Sequence, residues 1–221
     1  MEERFHALTL LLLRKQRLKL DELQEELKIT KETLYSFLAE LPVLLEGDEV
    51  LVVDTAGLLL DLWKRRFDPV ELALSTGWKD FEKLCSRILE EYGFETFLNV
   101  RLKVLEKVRE LDVVALREPW VLAVDCKRWA RRRESHLRLA ARAHKARCEL
   151  LARELPKVVE VAARVASWRE AKVGPAIVDV HETVMKVFEG VPIIPLRKLP
   201  AFLDEFEAFA DELYVVKVAL R

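Results

Sequence analysis

The sequence predicts a mixed α/β protein, with a mixed β-sheet flanked by helices and preceded by a small, mainly helical domain. Two observations lead to this prediction. Residues 1–67 contain short amphipathic helical stripes around one brief apolar hairpin, whereas residues 68–221 interleave helical stripes with β-branched runs. The dipeptide Asp68-Pro69 separates the two patterns. We therefore expect domains at residues 1–67 and 68–221.

The composition limits the function classes. Apolar residues make up 51% of the chain, which is enough for a core, and the formal net charge is −1, so any nucleic-acid-binding surface must be local. The three cysteines are scattered without a CxxC spacing, which argues against a disulfide framework or a zinc site. No apolar run is long enough for a signal peptide or a membrane span. The sequence therefore predicts a cytoplasmic protein without membrane contact.

The first domain has helical stripes followed by a hairpin. Thr30 is a predicted N-cap, and Asp21 with Gln24 is typical of a capping box. The predicted elements are helices over 4–16, 21–27, 30–41 and 55–67, with strands over 43–45 and 50–53 around a turn at 46–49. This order resembles a winged helix-turn-helix domain. Such domains usually bind DNA in the major groove.

The charge of this first domain weakens the DNA-binding interpretation. Residues 1–66 hold ten basic and thirteen acidic residues, a net charge of −3. DNA affinity depends mainly on neutralising phosphates. The domain could contact DNA, or it could dimerise or dock on another protein. We leave these alternatives open.

The second domain begins with a helix that carries a clear apolar face. Ser75-Thr76-Gly77 opens this helix and Gly93 closes it. Strands are expected over 94–100 and 102–108. Beyond residue 155 we expect a helix to about residue 172, a strand over 176–180, a short helix, a strand over 191–195, a helix over 200–212 and a strand over 214–220.

The centre of the chain is a predicted hairpin. Two apolar, β-branched runs, residues 110–116 and 120–129, flank Arg117-Glu118-Pro119. If the chain folds back at Glu118 and Pro119, Asp112 lies opposite Asp125. Because alternate residues share a face of a strand, Lys127 emerges on the same side as Asp125 and Cys126 on the other.

Two carboxylates and an amine therefore meet on one patch of the sheet. Like charges opposed across a ladder destabilise it unless something lies between them. A hard divalent cation such as Mg²⁺ or Mn²⁺ would relieve the repulsion. The alternative is a salt-bridged triad in which Lys127 neutralises one of the aspartates, and spacing alone leaves both open.

Asp112 followed by Asp125-x-Lys127 at the end of the next strand resembles the PD-(D/E)xK nuclease core. The string Ala123-Val124-Asp125-Cys126-Lys127-Arg128-Trp129 looks like the Mrr-type branch of the restriction-endonuclease-like superfamily. The resemblance implies a restriction-endonuclease-like sheet over roughly residues 75–200. It also implies that Asp112, Asp125 and the Cys126 carbonyl hold Mg²⁺ or Mn²⁺, with Lys127 beside the scissile phosphate.

The resemblance further singles out Glu82 on the preceding helix. It could reach the metal or orient a ligand, or it could be a solvated surface residue. Family members often carry a glycine-rich stretch before the first aspartate. This chain instead has Lys107-Val108-Arg109-Glu110 there.

The most basic stretch of the chain follows Lys127. Up to residue 147 it holds nine bases and only one acid, Glu134, above a helical apolar stripe. We expect the first of these bases to hold the DNA backbone: Arg128, Arg131, Arg132, Arg133 and Arg138. The alternative is a charged surface paired with acids elsewhere. Trp129 could stack on a base or belong to the core.

The sequence as a whole predicts a Mg²⁺-dependent DNA endonuclease in which Glu82, Asp112, Asp125 and Lys127 are catalytic. DNA is the expected partner. The resemblance implies a homodimer, and the first domain indicates a further protein partner. The alternative function is a non-catalytic DNA-binding or assembly protein on a nuclease-like scaffold. RNA cleavage is a third alternative.

Overall fold

The structure is a computed structural model that describes residues 1–104, 107–129 and 134–220. The chain divides into two compact units, Met1–Leu84 and Cys85–Arg221. The predicted domain boundary at residue 67 stays a prediction. In the structure Asp68 caps a further helix of the first unit, because its side chain accepts a hydrogen bond from the backbone N–H of Val70.

The first unit combines helices with a small antiparallel sheet in the order β1-β3-β2. Its core is built mainly from leucines of its helices. The elements are α1 (Glu2–Lys15), β1 (Arg17–Lys19), α2 (Leu20–Leu27), α3 (Lys31–Ala39), β2 (Leu44–Glu46), β3 (Glu49–Leu51), α4 (Thr55–Lys64) and α5 (Pro69–Ser75).

Two local predictions for this unit have different outcomes. The Thr30 hydroxyl accepts from the backbone N–H of Thr33, so the predicted N-cap of α3 is confirmed. The capping box at Asp21 is wrong, because α2 begins at Leu20 and its N-cap, Lys19, makes no side-chain cap. Strand β1 was not predicted. Its three residues pair with β3, and α2 begins at the next residue, Leu20.

Helix α6 (Trp78–Glu91) continues from the first unit into the second. It has the predicted apolar face, and the buried residues recur at helical spacing: Phe81, Leu84, Cys85, Ile88 and Leu89. The helix ends as expected at Gly93, whose φ of +80° is readily adopted by glycine.

The second unit contains a mixed sheet in the order β4-β5-β6-β7-β9-β8, with β10 pairing β7. Pairs β4–β5 and β5–β6 are antiparallel, whereas β6–β7 and β7–β9 are parallel. The elements are β4 (Glu95–Val104), β5 (Lys107–Arg117), β6 (Trp120–Lys127), α7 (Glu134–Glu154), α8 (Val159–Val165), β7 (Glu170–Asp179), β8 (Val187–Phe188), β9 (Val191–Pro195), α9 (Leu199–Glu205) and β10 (Val216–Ala219).

The last third of the chain departs from prediction mainly in its boundaries. Helix α8 ends at Val165, and β7 begins at Glu170, well before the predicted strand. The short helix expected before residue 191 is the strand β8 instead. Strand β9 has the predicted bounds. Helix α7 packs on one face of the sheet through the predicted stripe, all of which is buried: Leu137, Ala141, His144, Cys148, Leu151 and Leu155.

Strand β4 is continuous, although two strands were predicted there. Leu98 pairs with Val113 and Val100 with Leu111, but Asn99 and Asp112 between them are not paired. Asn99 has a φ of +54°, in the left-handed region. Val100 and Leu111 nevertheless pack in one cluster with Val114, three residues beyond Leu111. Since residues three apart in a regular strand face opposite sides, the alternation reverses at this point, which we call the Asn99–Asp112 kink.

Candidate active site

The central hairpin brings the two predicted carboxylates together. Val113 pairs with Val124 and Arg117 with Trp120, so the register places Asp112 opposite Asp125. The turn falls at Glu118-Pro119, as the sequence indicated. The backbone N–H of Cys126 donates to Asp112 Oδ2 over 2.8 Å, which ties the first aspartate to the edge of β6.

Asp125 is held by two cations. Lys127 Nζ lies 2.6 Å from Asp125 Oδ2, and Arg147 Nη2 of α7 lies 2.7 Å from Oδ1. Asp125 is only 1% exposed, whereas the side chains of Lys127 and Arg147 are 16% and 26% exposed. The carboxylate of Asp125 is therefore shielded from solvent, whereas its two cationic partners are partly exposed. Asp112, Asp125, Lys127 and Arg147 are called the site cluster below.

The two aspartates have opposite electrostatic environments. Burial raises the pKa of Asp112, and the charge of Asp125 raises it further against the hydrogen bond from Cys126. Burial also acts to raise the pKa of Asp125. There, the positive charges of His144, once acid protonates it, and of Lys127 and Arg147 outweigh burial and leave the pKa below its usual value. Asp125 is thus the stable anion of the pair, and Asp112 carries the unrelieved repulsion.

Two further buried polar residues adjoin β6. His144 of α7 is fully buried, with Nε2 2.7 Å from the carbonyl oxygen of Ala123, and burial lowers its pKa to about 4. Asp179 of β7 is also fully buried and pairs in register with Lys127. Its Oδ1 accepts the backbone N–H of His181 over 3.0 Å. Neither residue was predicted from the sequence to belong to the site.

The side chains of Cys126 and Asp125 lie on opposite faces of the sheet. Its thiol is fully buried on the side away from Asp125 and interacts with the thiol of Cys85 on α6. That hydrogen bond, together with burial, raises the pKa of the Cys126 thiol well above its usual value. The thiol is therefore no ligand for the site cluster, and only the backbone of Cys126 contacts it. All three cysteines are free and buried.

The donor set was tested against a divalent cation. Two facing carboxylates offer the oxygen ligands that Mg²⁺ and Mn²⁺ prefer, and the pKa of Asp112 is raised by burial and by the charge of Asp125, both of which a cation would offset. Among residues 1–104, 107–129 and 134–220, no three His, Cys, Asp or Glu side chains are grouped as metal ligands. The residues therefore fit a cation held by two aspartates and backbone or water oxygens. Such a cation would compete with Lys127 and Arg147 for Asp125.

Glu82 belongs to the first unit, on the N-terminal half of α6. It is 6% exposed, so it is not the solvated surface residue of the alternative interpretation. Its Oε1 accepts a hydrogen bond from the indole N–H of Trp78 one helical turn earlier. Its catalytic role stays a prediction.

The predicted DNA-binding bases are only partly described. Arg131, Arg132 and Arg133 lie outside the described residues. Arg128 is half-buried. Arg138 is exposed and pairs with Glu134 over 2.7 Å. Further along α7, Arg142 pairs with Glu189. The basic stretch is therefore partly balanced by acids. These exposed pairs are weak, and a phosphate could displace them.

Sequence reasoning missed the role of Arg147 in the site cluster. It was grouped with the other bases of α7, yet it alone of the described α7 bases pairs with Asp125. The signal was present in the helical spacing. Arg147 follows buried His144 by three residues and precedes buried Leu151 by four, so it flanks the face of α7 that meets the sheet.

Residues 73–147 match the model of a restriction endonuclease family, Mrr_cat. The matched segment contains α6, strands β4 to β6, the site cluster and most of α7. This segment is a restriction-endonuclease-like domain of the Mrr type. The predicted family and the predicted fold class, a mixed sheet flanked by helices, are confirmed.

Two of the proteins to which this chain is similar are described as uncharacterized or of unknown function. An uncharacterized protein of Archaeoglobus fulgidus is 29% identical over 137 residues, which cover 61% of this chain and 95% of that protein. The crystal structure of AF1548, a protein of unknown function, has a TM-score of 0.36 at 21% identity, with 57% of this chain and 65% of that one covered. Protein VC1899 from Vibrio cholerae has a TM-score of 0.39 at 13% identity.

The chain spans less than two thirds of both solved structures, since the matches cover 65% of AF1548 and 51% of VC1899, the latter over 95% of this chain. In the part of the chain that the structure describes, no helix is both long and apolar enough to cross a membrane.

Proposed function

We propose that this protein is a metal-dependent DNA endonuclease that hydrolyses phosphodiester bonds at the site cluster. One observation supports this above all. Two aspartates and a lysine from neighbouring strands meet within a restriction-endonuclease-like domain, with Lys127 Nζ 2.6 Å from Asp125. A nuclease needs a cationic group for the phosphate and acids that can hold a metal beside it.

Asp112, Asp125 and the Cys126 carbonyl are the residues proposed to hold Mg²⁺ or Mn²⁺. A bound divalent cation would polarise the phosphate and lower the pKa of a water molecule. Asp112 is fixed for this role by the N–H of Cys126. Its raised pKa means that it gains most from a positive charge nearby.

Lys127 is proposed to stabilise the charge that develops on the phosphate oxygens. Its ion pair with Asp125 over 2.6 Å holds the amine in place beside the site, which favours a role in charge stabilisation. Arg147 holds the other oxygen of Asp125 and is proposed to present a second cation to the same phosphate. Asp125 thereby orients both cations.

The remaining predicted residues have supporting roles in this proposal. Glu82 would complete or orient the metal shell. Arg128 and Arg138, together with Arg131, Arg132 and Arg133, would hold the DNA backbone, which gives affinity with little sequence discrimination. The family resemblance adds a homodimer that cuts one strand per subunit.

The test is cleavage of plasmid, branched and single-stranded DNA with Mg²⁺, Mn²⁺ or EDTA. We expect cutting that EDTA abolishes and that Asp112→Ala, Asp125→Ala and Lys127→Ala each reduce by at least a hundredfold. Asp211→Ala and Lys217→Ala change exposed residues far along the chain and serve as matched controls. Cutting that survives all three site variants would remove the assignment.

The second candidate is a protein that binds DNA on this scaffold without cutting it. It is favoured by the ion pairs on both oxygens of Asp125 and by the absence of a third clustered metal-binding side chain among the described residues. A salt-sensitive, metal-independent shift of DNA without products would support it. RNA in the same assay tests the third alternative.

The first unit is proposed to be a winged-helix-like module. The hairpin strands β2 and β3, the added strand β1 and helices α1 to α3 support this. With its net charge of −3 over residues 1–66, we propose that it serves in dimerisation or protein docking rather than as the main DNA contact.

A further inference from the structure

A groove of about 640 Å³ opens beside the site cluster, and Lys127 and Arg147 line one side of it. Its floor is a face of α7 with three alanines, Ala140, Ala143 and Ala146, and with Leu139 and Leu150 beside them. The spacing of these alanines at three residues keeps them on one side of the helix. The floor is therefore apolar and shallow. Its size falls within the range of small-molecule pockets.

Two aromatic rings stand at one end of the groove. Trp129 and His136 have ring centroids 6.3 Å apart with an interplanar angle of 76°. Trp129 is half-buried and packs partly on a core cluster, while His136 is exposed. The ammonium of Lys127 lies 5.9 Å from the centroid of the Trp129 ring. The indole and the amine of Lys127 therefore line the same groove as the α7 alanines.

The rest of the groove is cationic. Lys127 and Arg147 belong to the site cluster. The third cation is Arg109 of β5, the strand that pairs with β6. Arg109 reaches this side because the Asn99–Asp112 kink reverses the alternation of β5. Three cations around an apolar, aromatic-edged floor are complementary to an anion that carries a flat ring.

We infer that this groove binds an unpaired nucleobase next to the phosphate at Lys127, so that the substrate class is DNA with unpaired nucleotides at the cleavage point. The inference rests on the proposed function and specifies its substrate. A base inside a duplex is paired and stacked, and its face is not available to Trp129. A single strand, a loop or a branch point offers both the base face and the phosphate.

The test separates binding from cutting by working in EDTA. A short single-stranded DNA with one 2-aminopurine is titrated with protein, and anisotropy and base fluorescence are measured against a duplex of the same sequence. Ala143→Leu fills the floor without altering charge. Ala163→Leu, on exposed α8 surface, is the matched control, and Trp129→Ala removes the ring.

We expect tighter binding of the single strand than of the duplex, and quenching of 2-aminopurine on binding. Ala143→Leu and Trp129→Ala should each weaken single-strand binding about fivefold or more, and Ala163→Leu should not. These results would support nucleobase binding in the groove even if no metal produced cleavage. A failure of the proposed function can therefore be told apart from a failure of this inference.

Equal affinity for both DNA forms, or single-strand binding that neither groove variant weakens, would overturn the inference. So would the absence of DNA binding. If Ala143→Leu changed self-association in sedimentation while leaving DNA binding intact, the groove would belong to a second copy of the chain.

Discussion

His144 should make the stability of the second unit depend on pH. Its Nε2 must carry the proton, because it lies 2.7 Å from a carbonyl oxygen, and its buried Nδ1 has no hydrogen-bond partner among the described residues. Protonation of Nδ1 would place a charge in the core. The folded state therefore keeps His144 neutral, with a pKa of about 4 against 6.5 for an ordinary histidine.

The direction of the pH dependence follows from the lowered pKa of His144. Between pH 6.5 and about 4 the unfolded chain binds the proton and the folded chain does not, so acid favours unfolding. The difference between the folded and unfolded pKa of His144 corresponds to about 3 kcal/mol of free energy of unfolding. About 2 kcal/mol of this is lost between pH 8 and pH 5. The stabilisation is complete above pH 6.5 and is lost as the pH falls.

Denaturant unfolding at several pH values measures this loss. His144→Gln keeps a donor for the carbonyl of Ala123 but does not titrate, so its free energy of unfolding should fall about 2 kcal/mol less than that of the native protein between pH 8 and pH 5. His136→Gln, at an exposed position, should retain the native slope. Parallel pH profiles for the native protein and His144→Gln would refute the reasoning.

Three further tests by substitution concern the backbone geometry. Asn99→Ala should cost about 1 kcal/mol more than Asn99→Gly, because the φ of +54° is unfavourable for alanine. Thr30→Ala should cost about 1 kcal/mol by removing the N-cap of α3. Gly190→Ala should be far more damaging than Gly47→Ala. Both glycines have positive φ, but a Cβ at Gly190 would lie 2.7 Å from the Tyr214 nitrogen, whereas Gly47 has nothing within 4 Å. Denaturant unfolding measures all three.

Each of these expectations can fail in a defined way. Equal stabilities of the two Asn99 variants would mean that the kink is not imposed on the backbone. A loss for Ser36→Ala, inside the same helix, as large as that for Thr30→Ala would show that no specific cap was removed. Equal losses for the two glycine variants would show that the approach of Tyr214 is not tight.

The central hairpin was predictable from the sequence because one break determines its geometry. Glu118-Pro119 is the only interruption between two apolar runs, and once the chain turns there, counting residues puts Asp112 opposite Asp125. The amphipathic pattern of α7 was equally clear, since all its buried positions share one face.

Other features depended on contacts that no local pattern marks. Two strands were predicted in place of β4 because the apolar alternation changes phase at Asn99, whose backbone is left-handed. The strand β1 is three residues long and becomes a strand only by pairing with β3. Arg147 had the right helical position, but its partner Asp125 depends on how α7 lies over β6.

The Asn99–Asp112 kink also constrains which insertions and deletions the hairpin could accept. Losing one residue from β4 alone would turn Val100 and Leu102 out of the core, and losing one from β5 alone would do the same to Leu111. The simultaneous loss of Asn99 and Asp112 would instead restore even alternation in both strands. That change would also delete one of the two facing carboxylates, so a straighter hairpin of this kind would lack the pair that is proposed to hold the cation.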